Sequence, residues 1–461
     1  MSATILLISI NKCTAPYRVY PLGMSHVAAA LLAHGHRVEC ADLGFDDDRL
    51  EEIVAGINPQ FIGLSLRNID DQRIDGTIFF VPQLYDVVKR LRGCTDAVVV
   101  LGGSAYSLFP EAILENSGAD YGITGEGEAA MTALIEALRT PLSVSSEGAL
   151  STIPGLVYRS AGKMLRNRPA PLDPGESVYR AYRHPRLFDR YIAETGVANV
   201  QSQRGCPYTC CYCTYPVIEG SRVRMRDAGA VVDEIVEAAA RGGRYFFFVD
   251  SVFNIDSDHV ARICEELIAR RVAVMWGCFL RPKNIPEELM RLMARAGLRH
   301  IEFGTDSLSD TTLDAYGKQF TVDDIVRSDA LADAAQVRHA HFLICGGPGE
   351  TADTLNESFV NSLRLRKTVV FPYVGMRLYP GTLLYRTALA QGIVAGTMEL
   401  LQPFFYVTPG IGKEAIAGIL DGFHRKSPRW IVADPTPQER ALIERLRAKS
   451  LPGPLWEFLV Q

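Results

Sequence analysis

Short, almost uninterrupted apolar strands alternate with helical stretches in two separate blocks, and this limits the chain to parallel α/β architecture. In the first block the strand candidates are residues 4–10, 37–43, 61–66, 97–103 and 119–124, with helical stretches such as 24–35 between them. These strands are apolar at nearly every position rather than every second one. Strands of that kind are buried on both faces, which requires a parallel sheet with helices on either side. The pattern predicts a Rossmann-like doubly wound domain over residues 1–140. A second block supplies six strand–helix units, too few for a closed eight-unit barrel, so a partial (β/α)6 TIM-type barrel is expected over 191–395. Between the blocks, residues 141–190 are rich in Ser, Gly and Pro and read as a linker with a small hairpin near 155–165. Residues 396–461 read as a peripheral helical extension. Within it, 403–412 and 423–430 are candidates for segments closing over a site.

The chain has 461 residues and a formal net charge of −5, a balance that argues against a nucleic-acid partner. No apolar run reaches the roughly eighteen residues of a membrane span. The N-terminus reads as a first strand rather than a leader, so a cytoplasmic location is expected. Ten cysteines are present. A chain of this size does not need disulfides, and the six scattered ones read as small buried hydrophobes.

The other four crowd into Gly205-Cys206-Pro207-Tyr208-Thr209-Cys210-Cys211-Tyr212-Cys213. Cys206, Cys210 and Cys213 form a C-x3-C-x2-C spacing. Thiolates suit iron–sulfur clusters. Three of them on one loop can hold three irons of a cubane and leave the fourth iron open to a small molecule. A zinc site usually takes a fourth Cys or His at similar spacing. A redox dithiol leaves Cys206 unexplained. Cys211 reads as a buried bystander.

With an aromatic residue, Tyr212, before the last cysteine, this motif resembles the radical S-adenosylmethionine (SAM) superfamily. The similarity extends through 243–256, 280–325, 343–359 and 377–392. It implies a [4Fe–4S] cluster on Cys206, Cys210 and Cys213 that cleaves SAM to a 5′-deoxyadenosyl radical. It implies SAM contacts from Tyr212, Asp250, Ser251, Arg281, Asp306, Ser307, Gly346 and Gly347. Arg281 would pair with the SAM carboxylate, and Asp306 stands where the family often has Glu. A flavodoxin- or ferredoxin-type reductase is the implied electron donor.

Residues 21–43, 63–68, 99–114 and 119–138 resemble the cobalamin-binding domain that precedes many radical SAM enzymes. Ser65, Gly102, Gly103 and Gly125 are the cobalamin contacts this implies. The D-x-H-x-x-G motif, whose His ligates cobalt, is absent; His26, His34 and His36 lie in or beside the first helix and read as packing or surface residues. The resemblance implies a cobalamin-dependent methyltransferase acting on a natural product, lipid or small metabolite. The alternatives are a radical SAM enzyme with a vestigial cobalamin domain, such as one transferring the 3-amino-3-carboxypropyl group of SAM, and a non-catalytic sensor.

Overall fold

The computed structural model describes residues 2–13, 17–139, 146–170, 180–432, 445 and 454–458. It divides into two compact units: residues 1–72, 77–190 and 217–220, and residues 73–76, 191–216 and 221–461.

In the first unit β1 (Thr4–Ser9), β2 (Arg37–Asp42), β3 (Phe61–Ser65), β4 (Val98–Gly102) and β5 (Tyr121–Ile123) form a parallel sheet in the order 2-1-3-4-5. Ile5, Leu6 and Ile8 on β1 are wholly buried, as continuous apolar strands between two helix layers must be. The order reverses between β1 and β3, and in doubly wound sheets ligands sit at that switch point. The expected hairpin is present as β6 (Leu156–Ser160) and β7 (Lys163–Arg166). Its two-residue turn places Ala161 and Gly162 at φ 47° and 75°, the backbone that matches strand twist in tight hairpins. β6 pairs antiparallel with β5, so the hairpin extends the first sheet. The segments 140–145 and 171–179 of that stretch lie outside the described residues.

The second unit contains the six expected strands, all parallel and in chain order: β8 (Val197–Val200), β9 (Tyr245–Phe248), β10 (Met275–Leu280), β11 (Leu298–Asp306), β12 (Arg338–Cys345) and β13 (Thr368–Val374). Side chains alternate between faces along each strand. Phe248 packs with Trp276 and Phe253 on the helix side, at centroid separations of 5.3 and 4.5 Å. Phe247 meets Phe279 and His300 on the inner side, at 4.9 and 5.5 Å. Helix starts are set by Asp227 and Asp256 and by capping boxes at Thr321/Asp324 and Thr351/Thr354.

Two expectations about the C-terminal region need correction. Residues 454–458 are not peripheral. Trp456 and Glu457 are buried, and Trp456 packs with Ala340 and Val369 on the inner barrel face. Nor does 423–430 close over a site: Trp430 packs against Phe359 and Phe423, and residues 429–431 hydrogen-bond to Val370 along β13. The segment 403–412 does reach the barrel rim, where Thr408 N–H donates to Gly346 C=O at 2.8 Å. Most of 433–453 lies outside the described residues. Among the described residues, no helix is long and apolar enough to cross a membrane.

Candidate functional site

The cysteine loop leaves the end of β8 and returns through a short ladder in which Gln203–Arg204 pairs with Arg224–Met225. Asp250, just past β9, fixes the base of this loop. Its carboxylate accepts from Ser202 N–H at 2.8 Å, Ser202 Oγ at 2.6 Å and Gln203 N–H at 3.0 Å. A carboxylate so engaged, and wholly buried, supports the loop rather than standing open to SAM. Ser251 Oγ donates to Gly205 C=O at 3.4 Å. Gly205 takes φ 86°, a turn that a side chain would strain.

Across the loop, Cys211 is pinned on both sides of its backbone. Its N–H donates to Tyr316 C=O at 3.0 Å and its C=O accepts from Leu384 N–H at 2.8 Å. At Gly317, φ 73°, a Cβ would stand 3.0 Å from Thr209 O, so the loop lies directly on this turn. Burial pushes the Cys213 thiol up to about 12, with Cys210 and Cys206 adding to it. Burial likewise raises Cys210, with Asp306 and Cys206 adding to it and Lys318 opposing. Cys206, Cys210 and Cys213 therefore lie within electrostatic reach of one another. As a soft three-thiol donor set on one loop, they fit an iron–sulfur cluster with an open corner.

A buried polar group lies beside them. Lys318 Nζ is 2.7 Å from Asp306, with both side chains less than a tenth exposed. Tyr212 hydroxyl also donates to Asp306. Asp306 takes φ 62° where the β11–β12 register shifts, an unusual backbone for a non-glycine residue and a mark of a constrained site. The Arg281 guanidinium lies over the Tyr208 ring at 4.3 Å and the Phe320 ring at 5.0 Å, and donates to Lys318 C=O. Asn254 exchanges 2.9 Å hydrogen bonds with the Arg281 backbone in both directions.

Two sequence expectations are redirected. Ser307 turns away from the rim: its hydroxyl meets Ser358 Oγ at 3.3 Å and accepts from Ser309 N–H at 3.2 Å. The backbone of Gly346 and Gly347 is already engaged. Gly346 N–H donates to Glu350, and Gly347 N–H donates to Tyr316 Oη at 3.0 Å. A Cβ at Gly347 would sit 2.4 Å from the Tyr316 ring, so this glycine makes room for tyrosine. Glu350, buried, is raised to about 7 by desolvation, against the Gly346 N–H and the Tyr316 hydroxyl. Lys318, Tyr316, Asn254 and Glu350 were not singled out from sequence. Only Glu350 carried a signal, its place in the glycine-rich turn after β12.

In the first unit, Ser65 and Gly102 end β3 and β4. Gly103 has φ 103°, and a Cβ there would meet Leu66 O at 2.4 Å. At Gly102 such a Cβ would make only an ordinary contact, 3.9 Å from Ile123 O. Asn11, just past β1, reaches across the switch point. Its Oδ1 accepts from Arg67 and Asn68 N–H, and its Nδ2 donates to Asn68 C=O at 3.2 Å. Gly125, φ 75°, donates its N–H to Ser107 Oγ at 2.9 Å. Strand ends lined by backbone and small residues fit a large planar cofactor, and the loops after β3 and β4 carry no histidine. His26 and His36 are buried at the helix between β1 and β2, where His36 Nδ1 accepts from Ala3 N–H.

Residues 8–135 match the family model of the B12 binding domain, and residues 200–359 match that of the radical SAM superfamily. The tryptophan 2-C-methyltransferase of Streptomyces laurentii is 27% identical over 446 residues, covering 82% of this chain and 73% of that protein. The anaerobic magnesium-protoporphyrin IX monomethyl ester cyclase of Rubrivivax gelatinosus is 27% identical over 354 residues, covering 74% and 61%. The structure of the radical SAM methyltransferase TsrM from Kitasatospora setae, with cobalamin and a [4Fe-4S] cluster bound, superimposes with a TM-score of 0.85. It is 24% identical, covering 99% of this chain and 97% of that one.

Proposed function

The chain belongs to the radical SAM superfamily, in the branch that carries a B12-binding domain ahead of the barrel, and on that premise we propose that it is a cobalamin-dependent methyltransferase acting on a carbon of a small molecule. The observation that carries this is the three-thiol loop on a six-stranded parallel barrel, in one chain with a doubly wound sheet of 2-1-3-4-5 order. Two methyltransferases among the similar proteins support it.

When bound, the cluster supplies an open iron for the amino and carboxylate groups of SAM and an electron for its sulfonium, and cobalamin supplies a methyl carrier. The chain's own residues do the rest. Cys206, Cys210 and Cys213 hold the cluster. Asp250 keeps the loop base rigid. Asp306 and Lys318 place a buried ion pair beside Cys210, where their hydrogen bonds are strong because water is excluded. Arg281 faces the same region as a fixed cation and suits a carboxylate. Tyr212 would line the place of the adenosyl group, beside Gly346 and Gly347, whose N–H groups are held by Glu350 and Tyr316. Asn11, Ser65, Gly102, Gly103 and Gly125 shape the crevice for the corrin ring. The loops after β1, β3 and β4 carry no histidine, so they offer no imidazole to cobalt. A flavodoxin- or ferredoxin-type protein is the proposed electron donor.

The test is anaerobic reconstitution followed by iron and cobalamin quantification and analysis of SAM products under reduction. Methyl transfer predicts retained cobalamin and formation of S-adenosylhomocysteine. Methylthioadenosine as the sole SAM product, without bound cobalamin, would replace this reading with aminocarboxypropyl transfer. The cyclase relative makes ring formation the second product to seek.

A further inference from the structure

We propose that Lys318 is a positioning residue for the iron–sulfur cluster: its buried ammonium forms the thiol-facing end of the pair with Asp306 and makes the cluster easier to reduce. This rests on the radical SAM assignment above and extends it to the step in which the electron is accepted.

Lys318 sits in the turn between the helices Asp310–Ala315 and Val322–Ala334. That turn lies against the back of the cysteine loop. Tyr316 C=O accepts from Cys211 N–H at 3.0 Å, and a Cβ at Gly317 would stand 3.0 Å from Thr209 O. Lys318 N–H donates to Leu313 C=O at 3.0 Å and closes the turn. Lys318 therefore starts beside the stretch that carries Cys210 and leads to Cys213. Its far end is also fixed. Nζ lies 2.7 Å from Asp306 Oδ2, with 9% and 6% of the two side chains exposed. The Tyr212 hydroxyl donates to the same oxygen, which ties the residue between Cys211 and Cys213 to this pair. Nζ is 5.9 Å from the centre of the Tyr212 ring and 5.5 Å from that of Phe320. Two aromatic faces and one carboxylate thus surround the ammonium, and both surroundings attract a cation.

The pair has a direction. At Cys210 the Lys318 ammonium opposes the effect of burial more strongly than Asp306 adds to it, and Arg281 opposes it less than either acts. At Cys213 Lys318 again opposes burial. Arg281 is drawn instead to the rings of Tyr208 and Phe320, at 4.3 and 5.0 Å. Lys318 itself is kept protonated by Asp306, Cys210 and Cys213 against its own burial. The positive end of the pair therefore faces the thiols. Three thiolates already bring negative charge to the loop, and one-electron reduction of a cluster adds one more. A fixed cation beside it stabilises the reduced form more than the oxidised one, and net charge is one of the terms that set the potential of such clusters. With both partners nearly enclosed, salt screens this interaction little. Were the pair reversed, with Asp306 towards the thiols, the same geometry would resist reduction. The electron comes from the flavodoxin- or ferredoxin-type donor proposed above, and no bond forms or breaks in this step.

The experiment is a redox titration of the anaerobically reconstituted full chain, followed by electron paramagnetic resonance without SAM or substrate, beside iron and sulfide assays. Lys318→Met replaces the cation by an uncharged chain of similar length. It should keep its iron and become about tenfold harder to reduce at a fixed potential, which for one electron is about 59 mV. Lys318→Arg should recover most of the wild-type potential. Asp306→Asn removes the negative end and should shift the potential the opposite way from Lys318→Met, whereas a loosened loop would shift both variants alike. An unchanged potential in Lys318→Met, no recovery in Lys318→Arg, or the same direction of shift in Asp306→Asn each overturns the proposal. Should Lys318→Met lose its iron, Asp306→Asn decides: easier reduction supports the proposal, and any other result, loss of iron included, overturns it. The methyltransferase reading fails separately. A chain that retains no cobalamin and forms no methylated product defeats that reading and leaves these potentials standing.

Discussion

The two strand-end sites of this chain are built from different materials. At the switch point of the first unit, shape comes from backbone: Gly103 in a left-handed conformation against Leu66, the side-chain-free Gly102 beside it, and the Asn11 amide tying the loop after β3. At the barrel rim, shape comes from reactive and ionisable side chains: three thiols, the Asp306–Lys318 pair with Tyr212, and a buried Glu350. A crevice made of backbone recognises a large rigid ring by fit. A rim made of thiols and charges can hold metal and stabilise changes in charge.

The contrast is most exposed to the cysteines. Replacing Cys206, Cys210 or Cys213 by Ala should abolish iron retention after reconstitution, while Cys211→Ala should keep it, because Cys211 is held by its backbone and its thiol is buried elsewhere in the loop. Iron and sulfide assays decide this. Equal iron in all four variants would break the distinction between ligand and bystander.

The next effect is in pH. Glu350 holds its proton to about 7 in the fold against 4.5 for an ordinary glutamate. Between those values the folded state binds more protons than the unfolded one, so this group's contribution to stability is full below pH 4.5 and is lost as pH rises to 7. The loss is about 3 kcal/mol. Urea melts of wild type against Glu350→Gln should converge towards low pH and separate towards neutrality, the variant lacking this slope. Parallel curves would remove Glu350 from the rim's ionisable set.

The smallest effect belongs to the first unit. Gly103→Ala should destabilise by about 1–3 kcal/mol through its positive φ and the Leu66 contact. It should lower cobalamin retention and leave iron content unchanged. An equal fall in iron would mean that the two sites are not separately built.

The same division explains what was legible. The thiol spacing announced the cluster loop because a soft-metal site needs particular atoms at particular intervals. Apolar periodicity announced the parallel strands of both blocks, since burial on both faces leaves a continuous apolar run. Asp250 was legible as a residue but not in its role. Its position after β9 suggested a SAM contact, while the fold engages it with Ser202 and Gln203, forty-eight and forty-seven residues back. Ser307 was misplaced for a related reason: the turn after the register shift at Asp306 directs it to Ser358.

By itself, the sequence determined the parallel architecture of both blocks and the three thiols, because periodicity and ligand spacing are local properties of the chain. Only the tertiary structure decided that the hairpin extends the first sheet, that Asn11 bridges the switch point, and that Trp456 packs on the inner barrel face and donates to Glu302. Those contacts join residues tens to hundreds of positions apart. No local pattern encodes them, because a hydrogen bond or a filled cavity depends on distance in space.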